Sequence, residues 1–443
     1  MQDRTSSRVD RAGGSMHRLF LAAAMLAACT DPPPDVALAT TVQALGSVEV
    51  TREPITGDVF HYSFILRVGD GPNARVRVDR VVRERAPWLP RRTTAAVMML
   101  HGDFATFASN FAPAVGNPPS SATGLATWLA ERDIDVWGTD RRSTLAPEIG
   151  ADLSDFDAMS LDQELDDIAT ALAFARGVRL VTDASTARMT LIGFSRGGEL
   201  AYFYASRDAA RPPALRHVKG LVPLDVNVSL SPADEDLRQL FCEFAAGEYG
   251  ALAQGGVDAP NDFQLAVGRL ALSAPDEPSP FNPARTNRQV MLRFVGQTFV
   301  FFPATPLYHL NAPVLDGLPT GLRLSSEDVV AHWLAQSPLH ASMREAADTD
   351  ALTCGDAPLP LDVPLSHIRV PLLLIAAAGG YGEHAVFSTT QVSSTDVTTI
   401  VIRQLPPERE AEDIGHGDLL FAPDAVQLAW QPLLAWLGRH ARE

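Results

Sequence analysis

Lysine is almost absent from this chain, which has a single one, Lys219, beside 35 arginines. The 53 acidic residues outnumber the 36 basic ones, so the formal net charge is −17. Binding to DNA or RNA needs a basic face that neutralises phosphates, and no long basic run is present to supply one. The composition therefore predicts a protein without a nucleic-acid partner.

Cysteine is scarce as well, with three in 443 residues. No C-x-x-C or H-x-x-x-H spacing occurs, so we expect no structural zinc or other metal site. No phosphate-binding glycine loop occurs either, and we expect no cofactor. Cys242 and Cys354 lie far from the N-terminus, and two interpretations stay open for them: a disulfide, or two separate buried thiols.

Apolar runs long enough to cross a bilayer are not evident, but a shorter one lies near the N-terminus. Leu19 to Ala28 are ten apolar residues, the length of the apolar core of a secretory signal. The sequence Leu-Ala-Ala-Cys that ends at Cys29 resembles the lipobox of bacterial lipoproteins. That resemblance implies an exported protein held to the cell-envelope membrane by a lipid on Cys29. Ordinary signal cleavage after Ala28 would instead give a periplasmic or secreted protein.

Glycine and serine combine in one informative motif, Gly193-Phe194-Ser195-Arg196-Gly197. It lies between an apolar run that predicts a strand and a stretch that predicts a helix. A serine at such a sharp turn needs very small neighbours two residues away on each side, because strand and helix pass close together. The motif therefore predicts a nucleophilic serine at position 195.

Strand-like and helix-like segments alternate along the rest of the chain, as in a mainly parallel sheet covered by helices. The predicted strands are residues 60–68, 74–82, 95–100, 134–137, a strand ending at 192, 220–224, 370–376 and 398–402. With the serine motif, this order resembles the α/β-hydrolase fold. The stretches 134–143, 156–164 and 415–421 are similar to acid lipases of the gastric and lysosomal type.

The resemblance implies an α/β-hydrolase fold with an eight-stranded, mostly parallel sheet, helices on both faces and a large helical cap inserted after the sixth strand. The predicted domains are a signal segment, a lipidated tether, the first part of the core, the cap and the second part of the core. They span residues 1–28, 29–50, 51–228, 229–365 and 366–443.

A catalytic triad is implied by the same resemblance. Ser195 is the nucleophile, and His416, in a glycine-flanked loop after the last strand, is the predicted base. The acid lipases carry an aspartate after the strand at 370–376, whereas this chain has glycines and Glu383 there. We therefore expect Glu383 to be the acid, with Asp225, directly after the sixth strand, as the alternative.

Two backbone amides are predicted to form the oxyanion hole, those of Asp103, after the His-Gly segment, and Arg196, after the nucleophile. In the family that the chain resembles, an apolar residue usually occupies the first of these positions. The carboxylate of Asp103 would oppose a developing oxyanion unless it points away or pairs with Arg196.

The predicted function is hydrolysis of a carboxylic ester, or a related acyl substrate, through an acyl-enzyme on Ser195. A peptidase or amidase with the same triad is one alternative. Another is a catalytically silent lipoprotein that binds a ligand in the capped cleft, an interpretation favoured by the irregular acid position and by Asp103.

Overall fold

The computed structural model of the chain describes residues 48–115, 123–183, 185–296, 309–355 and 363–441. The predicted signal segment, most of the tether and Cys29 lie outside these residues. No helix within the described ranges is long and apolar enough to cross a membrane.

Strands and helices alternate along the described chain. The strands are β1 (Glu49–Thr56), β2 (Val59–Arg67), β3 (Arg75–Ala86), β4 (Leu89–Pro90), β5 (Ala95–Leu100), β6 (Ile134–Asp140), β7 (Met189–Phe194), β8 (Val218–Leu224), β9 (Pro278–Ser279), β10 (Asn282–Thr286), β11 (Val314–Leu315), β12 (Leu318–Pro319), β13 (Leu372–Ala377) and β14 (Val397–Ile402). The helices are α1 (Phe107–Phe111), α2 (Leu125–Ala130), α3 (Leu161–Asp183), α4 (Arg196–Ala210), α5 (Glu235–Ala253), α6 (Asp262–Ser273), α7 (Asn287–Gly296), α8 (Glu327–Ala335), α9 (Met343–Cys354), α10 (Gly382–Thr390), α11 (Asp418–Phe421) and α12 (Gln431–Arg439).

One large sheet organises the core, in the order β1-β2-β3-β6-β5-β7-β8-β13-β14, with β4 paired to β3. The first three strands and the β3–β6 pair are antiparallel, and the strands from β6 to β14 are parallel. The predicted α/β class with a mostly parallel sheet is confirmed.

The central strands are buried on both faces, because parallel strands in such a sheet have helices above and below them. Every residue of β5, β7, β8 and β13 is buried. Val97 and Met99 of β5 pack in one apolar cluster with Trp128 of α2 and Trp436 of α12. Met98 points to the opposite face and is also fully buried. The apolar runs that predicted these strands thus reflect burial on two sides.

The sheet has ten strands within the described residues instead of the predicted eight, because neither the edge strand β1 nor the short β4 was predicted. The sequence of β1, EVTREPIT, is polar and half exposed, and Pro54 weakens any strand pattern. An ion pair between Arg52 and the buried Glu84 of β3 helps to hold it. The last two residues of the predicted tether, 49 and 50, therefore belong to the sheet.

The chain leaves the sheet after β8 and returns at β13. The described residues between them form α5 to α9 and two short hairpins, β9–β10 and β11–β12. This insertion occupies the place predicted for a helical cap. Cys242 of α5 and Cys354 of α9 form a disulfide, which settles the choice left open by the sequence.

Candidate active site

Ser195 lies at the turn between β7 and α4, in the conformation that the glycine motif predicts. Its φ is +55° and its ψ is −131°, a backbone conformation that is costly for any residue with a side chain. A Cβ on Gly193 would lie 2.1 Å from the carbonyl oxygen of Gly197. A Cβ on Gly197 would lie 2.1 Å from the carbonyl oxygen of Leu100. The two glycines therefore permit the close packing that holds the serine at the bend.

The serine is placed at the carboxyl ends of the parallel strands. Its N–H donates to the carbonyl of Leu224, the last residue of β8, at 3.2 Å. It also precedes the first turn of α4, whose unpaired N–H groups favour negative charge. This location suits a nucleophile whose attack creates an oxyanion.

His416 lies in the loop before α11, beside the serine turn. Its ring stacks on Phe194, the residue before Ser195, with ring centroids 4.4 Å apart. The loop is held by the buried carboxylate of Asp418, which accepts the N–H groups of Gly415 at 2.9 Å and Asn311 at 3.0 Å. Burial raises the pKa of Asp418 to about 6. The anchoring role of Asp418 was not predicted, because one of its partners is distant in sequence.

Asp225, the residue immediately after β8, contacts the histidine. Its Oδ2 lies 2.7 Å from Nδ1 of His416, and its side chain is fully buried. Its oxygens also accept the N–H groups of Ala377, Tyr381 and Gly382 at 2.8, 3.1 and 3.3 Å. A carboxylate in that setting accepts the Nδ1 proton, which leaves Nε2 as the basic nitrogen of the imidazole.

The prediction that Glu383 serves as the acid is wrong. The Glu383 side chain is 65% exposed and its carboxylate lies 3.6 Å from the guanidinium of Arg403, not beside the histidine. The segment after β13 turns its backbone amides toward Asp225 instead of supplying a carboxylate. The alternative residue named from the sequence, Asp225, is the one that contacts His416.

The two residues predicted to supply oxyanion amides flank the serine. Arg196 is the first residue of α4, so its N–H has no acceptor within the helix. Gly102, just before Asp103, packs so close that a Cβ on it would lie 3.1 Å from Cβ of Ser195. The Gly102 N–H is itself occupied, since it donates to Oδ1 of Asn110 at 2.8 Å.

The carboxylate of Asp103 pairs with Arg196, which is one of the two arrangements in which it would not oppose a developing oxyanion. Its Oδ2 lies 3.1 Å from Nε of Arg196, and its Oδ1 lies 3.2 Å from Nη1 of Arg141. Burial opposes its ionisation, but the two guanidiniums outweigh burial and hold the pKa of Asp103 below its ordinary value. Arg141 was not predicted as a partner, because it lies 38 residues from Asp103 and belongs to no motif.

Two further rings surround the imidazole of His416 and were not predicted. The rings of His309 and Tyr381 lie with their centroids 5.5 and 5.6 Å from its own. The carbonyl of His309 accepts the N–H of Gly417 at 2.6 Å. Burial and the neighbouring His416 lower the pKa of His309 to about 3, so His309 is neutral near pH 7.

No group of three or more histidine, cysteine, aspartate or glutamate side chains within the described ranges is arranged to hold a metal ion. At the carboxyl edge of the sheet the structure places Asp225 in contact with His416, whose ring stacks on Phe194, the residue before Ser195.

Comparison with known proteins gives a fold and no sequence family. No family model and no curated protein matches the chain. A solved structure described as a candidate lipase from Sulfolobus solfataricus aligns over 89% of this chain and 99% of its own, with 17% identity and a TM-score of 0.61. A monoglyceride lipase variant from Saccharomyces cerevisiae aligns over 93% and 99%, with 12% identity and a TM-score of 0.42. A proline iminopeptidase from Mycobacterium smegmatis aligns over 89% and 99%, with 14% identity and a TM-score of 0.39. The first likeness shows the α/β-hydrolase fold, as predicted.

Proposed function

We propose that this chain of the α/β-hydrolase fold is a serine hydrolase that cleaves a carboxylic ester through an acyl-enzyme on Ser195. The contact between Asp225 and His416, next to the strained serine turn, carries the proposal. A buried carboxylate that fixes one histidine nitrogen leaves the other as a base near a serine, the arrangement that activates a weak nucleophile.

The reaction follows from these positions. The Oγ of Ser195 attacks the acyl carbonyl while Nε2 of His416 takes its proton, and Asp225 stabilises the imidazolium that forms. The amides of Asp103 and Arg196 donate to the oxyanion of the tetrahedral intermediate. His416 then returns the proton to the leaving alcohol, and the acyl group stays on the serine. A water activated by the same histidine releases the acid and restores Ser195.

Both features that favoured a catalytically silent protein have a physical resolution. The irregular acid position at Glu383 is resolved in the proposal by Asp225, which contacts His416 directly. The carboxylate of Asp103 is neutralised by Arg141 and Arg196. These contacts support an enzyme over a binding protein of the same fold.

Export and lipid anchoring through Cys29 belong to the proposal as well. The disulfide between Cys242 and Cys354 supports an oxidising compartment, because such bonds persist in exported proteins and are rare in the cytosol. The membrane contact would then be the lipid on Cys29.

An activity-based probe tests the proposed chemistry. A fluorophosphonate should label the native protein and should leave Ser195→Ala unlabelled, because the probe reacts only with an activated serine. Glu383→Gln is the matched control and should label at the wild-type rate, since Glu383 is exposed and its carboxylate faces Arg403. Matched aryl esters and aryl anilides then separate an esterase from an amidase. Absence of labelling in the wild type would favour the silent alternative.

A further inference from the structure

An ion pair joins the side chains of the two residues proposed to supply the oxyanion amides. The Nε of Arg196 lies 3.1 Å from Oδ2 of Asp103. Arg141, the residue after β6, reinforces the same segment: its Nη1 contacts Asp103, and its Nη2 donates to the carbonyls of His101 at 3.1 Å and Gly102 at 2.8 Å. The two guanidiniums thus fix the peptide on either side of the candidate oxyanion hole.

Helix α9 of the cap supplies one carboxylate to each guanidinium. Oδ1 of Asp350 lies 2.8 Å from Nη1 of Arg196, and Oε2 of Glu345 lies 3.3 Å from Nη1 of Arg141. The two acids are five residues apart, and each is about 5% exposed or less. A second contact from the end of α9 joins the hydroxyl of Thr353 to Glu199 of α4 at 3.3 Å.

These contacts are buried, and buried charges resist rearrangement. Each guanidinium is shared among carboxylates: Arg196 also contacts Asp103 at 3.1 Å and Glu199 of its own helix at 3.0 Å, and Arg141 also contacts Asp103. When the acid on α9 loses its charge, the guanidinium is drawn toward the carboxylates that remain. For Arg196, movement of the side chain acts directly on the first turn of α4, whose N–H is the proposed oxyanion donor. For Arg141, movement of the side chain breaks its hydrogen bonds to the carbonyls of His101 and Gly102, which hold that segment in place.

Granting the proposed function, we infer that Asp350 and Glu345 are positioning residues through which cap helix α9 sets the geometry of the oxyanion hole. The hole is complete only while α9 is docked on the core. Neither acid touches the substrate's reacting atoms. Each acts through an arginine, Asp350 through Arg196 and Glu345 through Arg141.

This arrangement predicts a specific kinetic signature. An oxyanion hole binds the transition state more strongly than the ground state, so its distortion lowers kcat and leaves KM nearly unchanged. Complete loss of one donor costs about 10²- to 10³-fold in kcat. Displacement of a donor that remains present should cost less, roughly 10- to 100-fold for Asp350→Asn.

Asp350→Asn is the first variant to test, because the amide keeps the size of the side chain and removes its charge. Glu345→Gln is the second variant and disturbs the other arginine. Arg344→Gln is the matched control: it breaks an exposed ion pair of the same helix, between Arg344 and Asp157 at 3.0 Å, which reaches neither oxyanion residue. Each variant is assayed for kcat and KM on a short aryl ester, with competent sites counted by end-point fluorophosphonate labelling. Affinity for an aryl boronic acid, which forms a tetrahedral adduct on serine, is measured alongside.

The inference predicts that Asp350→Asn and Glu345→Gln lose kcat per labelled site and boronate affinity in parallel, with KM within about twofold. The control should retain wild-type values. Wild-type kcat per labelled site in both acid variants would overturn the inference while the proposed function stands. A rise in KM with kcat unchanged would also overturn it, because that pattern indicates a substrate-binding role. A wild type that neither turns over nor labels would overturn the proposed function first, and the inference with it.

Discussion

Asparagine in place of Asp225 should abolish most of the activity, and the structure indicates how. Oδ1 accepts two amides, from Ala377 and Gly382, while Oδ2 accepts the Tyr381 amide and contacts His416. If the NH₂ of the new amide replaced Oδ1, two buried N–H groups would face a donor. Each buried donor left unsatisfied costs about 1–3 kcal/mol. If it replaced Oδ2, only the Tyr381 amide would lose its acceptor, so this orientation is favoured.

The favoured orientation has a catalytic consequence. An NH₂ group facing His416 donates to Nδ1, so the imidazole proton moves to Nε2, the nitrogen that must take the serine proton. Loss of the triad acid in this way lowers kcat by about 10⁴-fold, which corresponds to about 5.4 kcal/mol of transition-state stabilisation. The free energy of unfolding should fall by only about 1–3 kcal/mol, for one unsatisfied amide.

The assay is turnover of a short aryl ester by Asp225→Asn and Glu383→Gln, with denaturant unfolding of both. Glu383→Gln should keep wild-type kcat and change stability by less than about 0.5 kcal/mol, because it is an exposed substitution. If Asp225→Asn stays within tenfold of the wild type, the assignment of Asp225 as the triad acid is refuted. A loss confined to Glu383→Gln would restore the first expectation from the sequence.

Three further predictions concern stability and the envelope location. Burial and the charge of Asp167 raise the pKa of Glu164 to about 8 from 4.5, so the folded protein holds a proton that the unfolded chain releases between these values. The contribution of Glu164 to the free energy of unfolding is therefore complete below pH 4.5. It decreases by about 1.4 kcal/mol per pH unit as the pH rises from 4.5 to 8. Glu164→Gln should flatten the pH dependence of the free energy of unfolding between pH 5.5 and 8, and an unchanged slope would contradict the assignment. Reduction of the disulfide between Cys242 and Cys354 should lower the free energy of unfolding by about 2–5 kcal/mol. It should also lower kcat, because α9 carries Asp350, an acid that contacts Arg196. If reductant changes neither the free energy of unfolding nor ester turnover, both expectations are wrong. Metabolic labelling with a palmitate analogue should mark the wild type but not Cys29→Ser, and a labelled mutant would exclude the lipobox interpretation.

Local sequence patterns were sufficient for the serine turn and for the central strands. The turn depends on glycines two residues from Ser195. Strands β5 and β13 are continuous apolar runs, and β7 and β8 are mostly apolar, because both of their faces are buried. Both features depend on neighbours in sequence, so they could be predicted. The polar edge strand β1 has no such pattern, since its stability comes from pairing with β2 and from an ion pair to Glu84.

The acid of the proposed triad could not be chosen from local pattern. Asp225 and His416 are 191 residues apart, and their contact depends on how β8 and the loop before α11 meet in the fold. Resemblance to acid lipases favoured the loop after β13, where Glu383 is the nearest carboxylate. That loop instead supplies the amides of Tyr381 and Gly382 to Asp225, a role that no side-chain pattern reveals.

The contacts between the cap and the core could not be predicted for the same reason, because they join residues that are distant in sequence. Arg141 contacts Glu345 across 204 residues of sequence, and neither residue belongs to a motif. The sequence did show one unusual feature, an aspartate at position 103 where an apolar residue is usual in the family that the chain resembles. An unexpected charge next to a predicted oxyanion hole requires a partner, and the structure supplies Arg196 and Arg141.

The acyl-enzyme on Ser195 is the central claim, and intact-protein mass spectrometry tests it most directly. The protein is mixed with an aryl ester whose acyl group leaves serine slowly, quenched in acid during turnover, and digested to locate the adduct. We expect one acyl group per molecule on the peptide that contains Ser195, with its loss restoring the original mass as the acid product accumulates. Ester turnover without any adduct, or an adduct and turnover that persist in Ser195→Ala, would contradict the proposed mechanism.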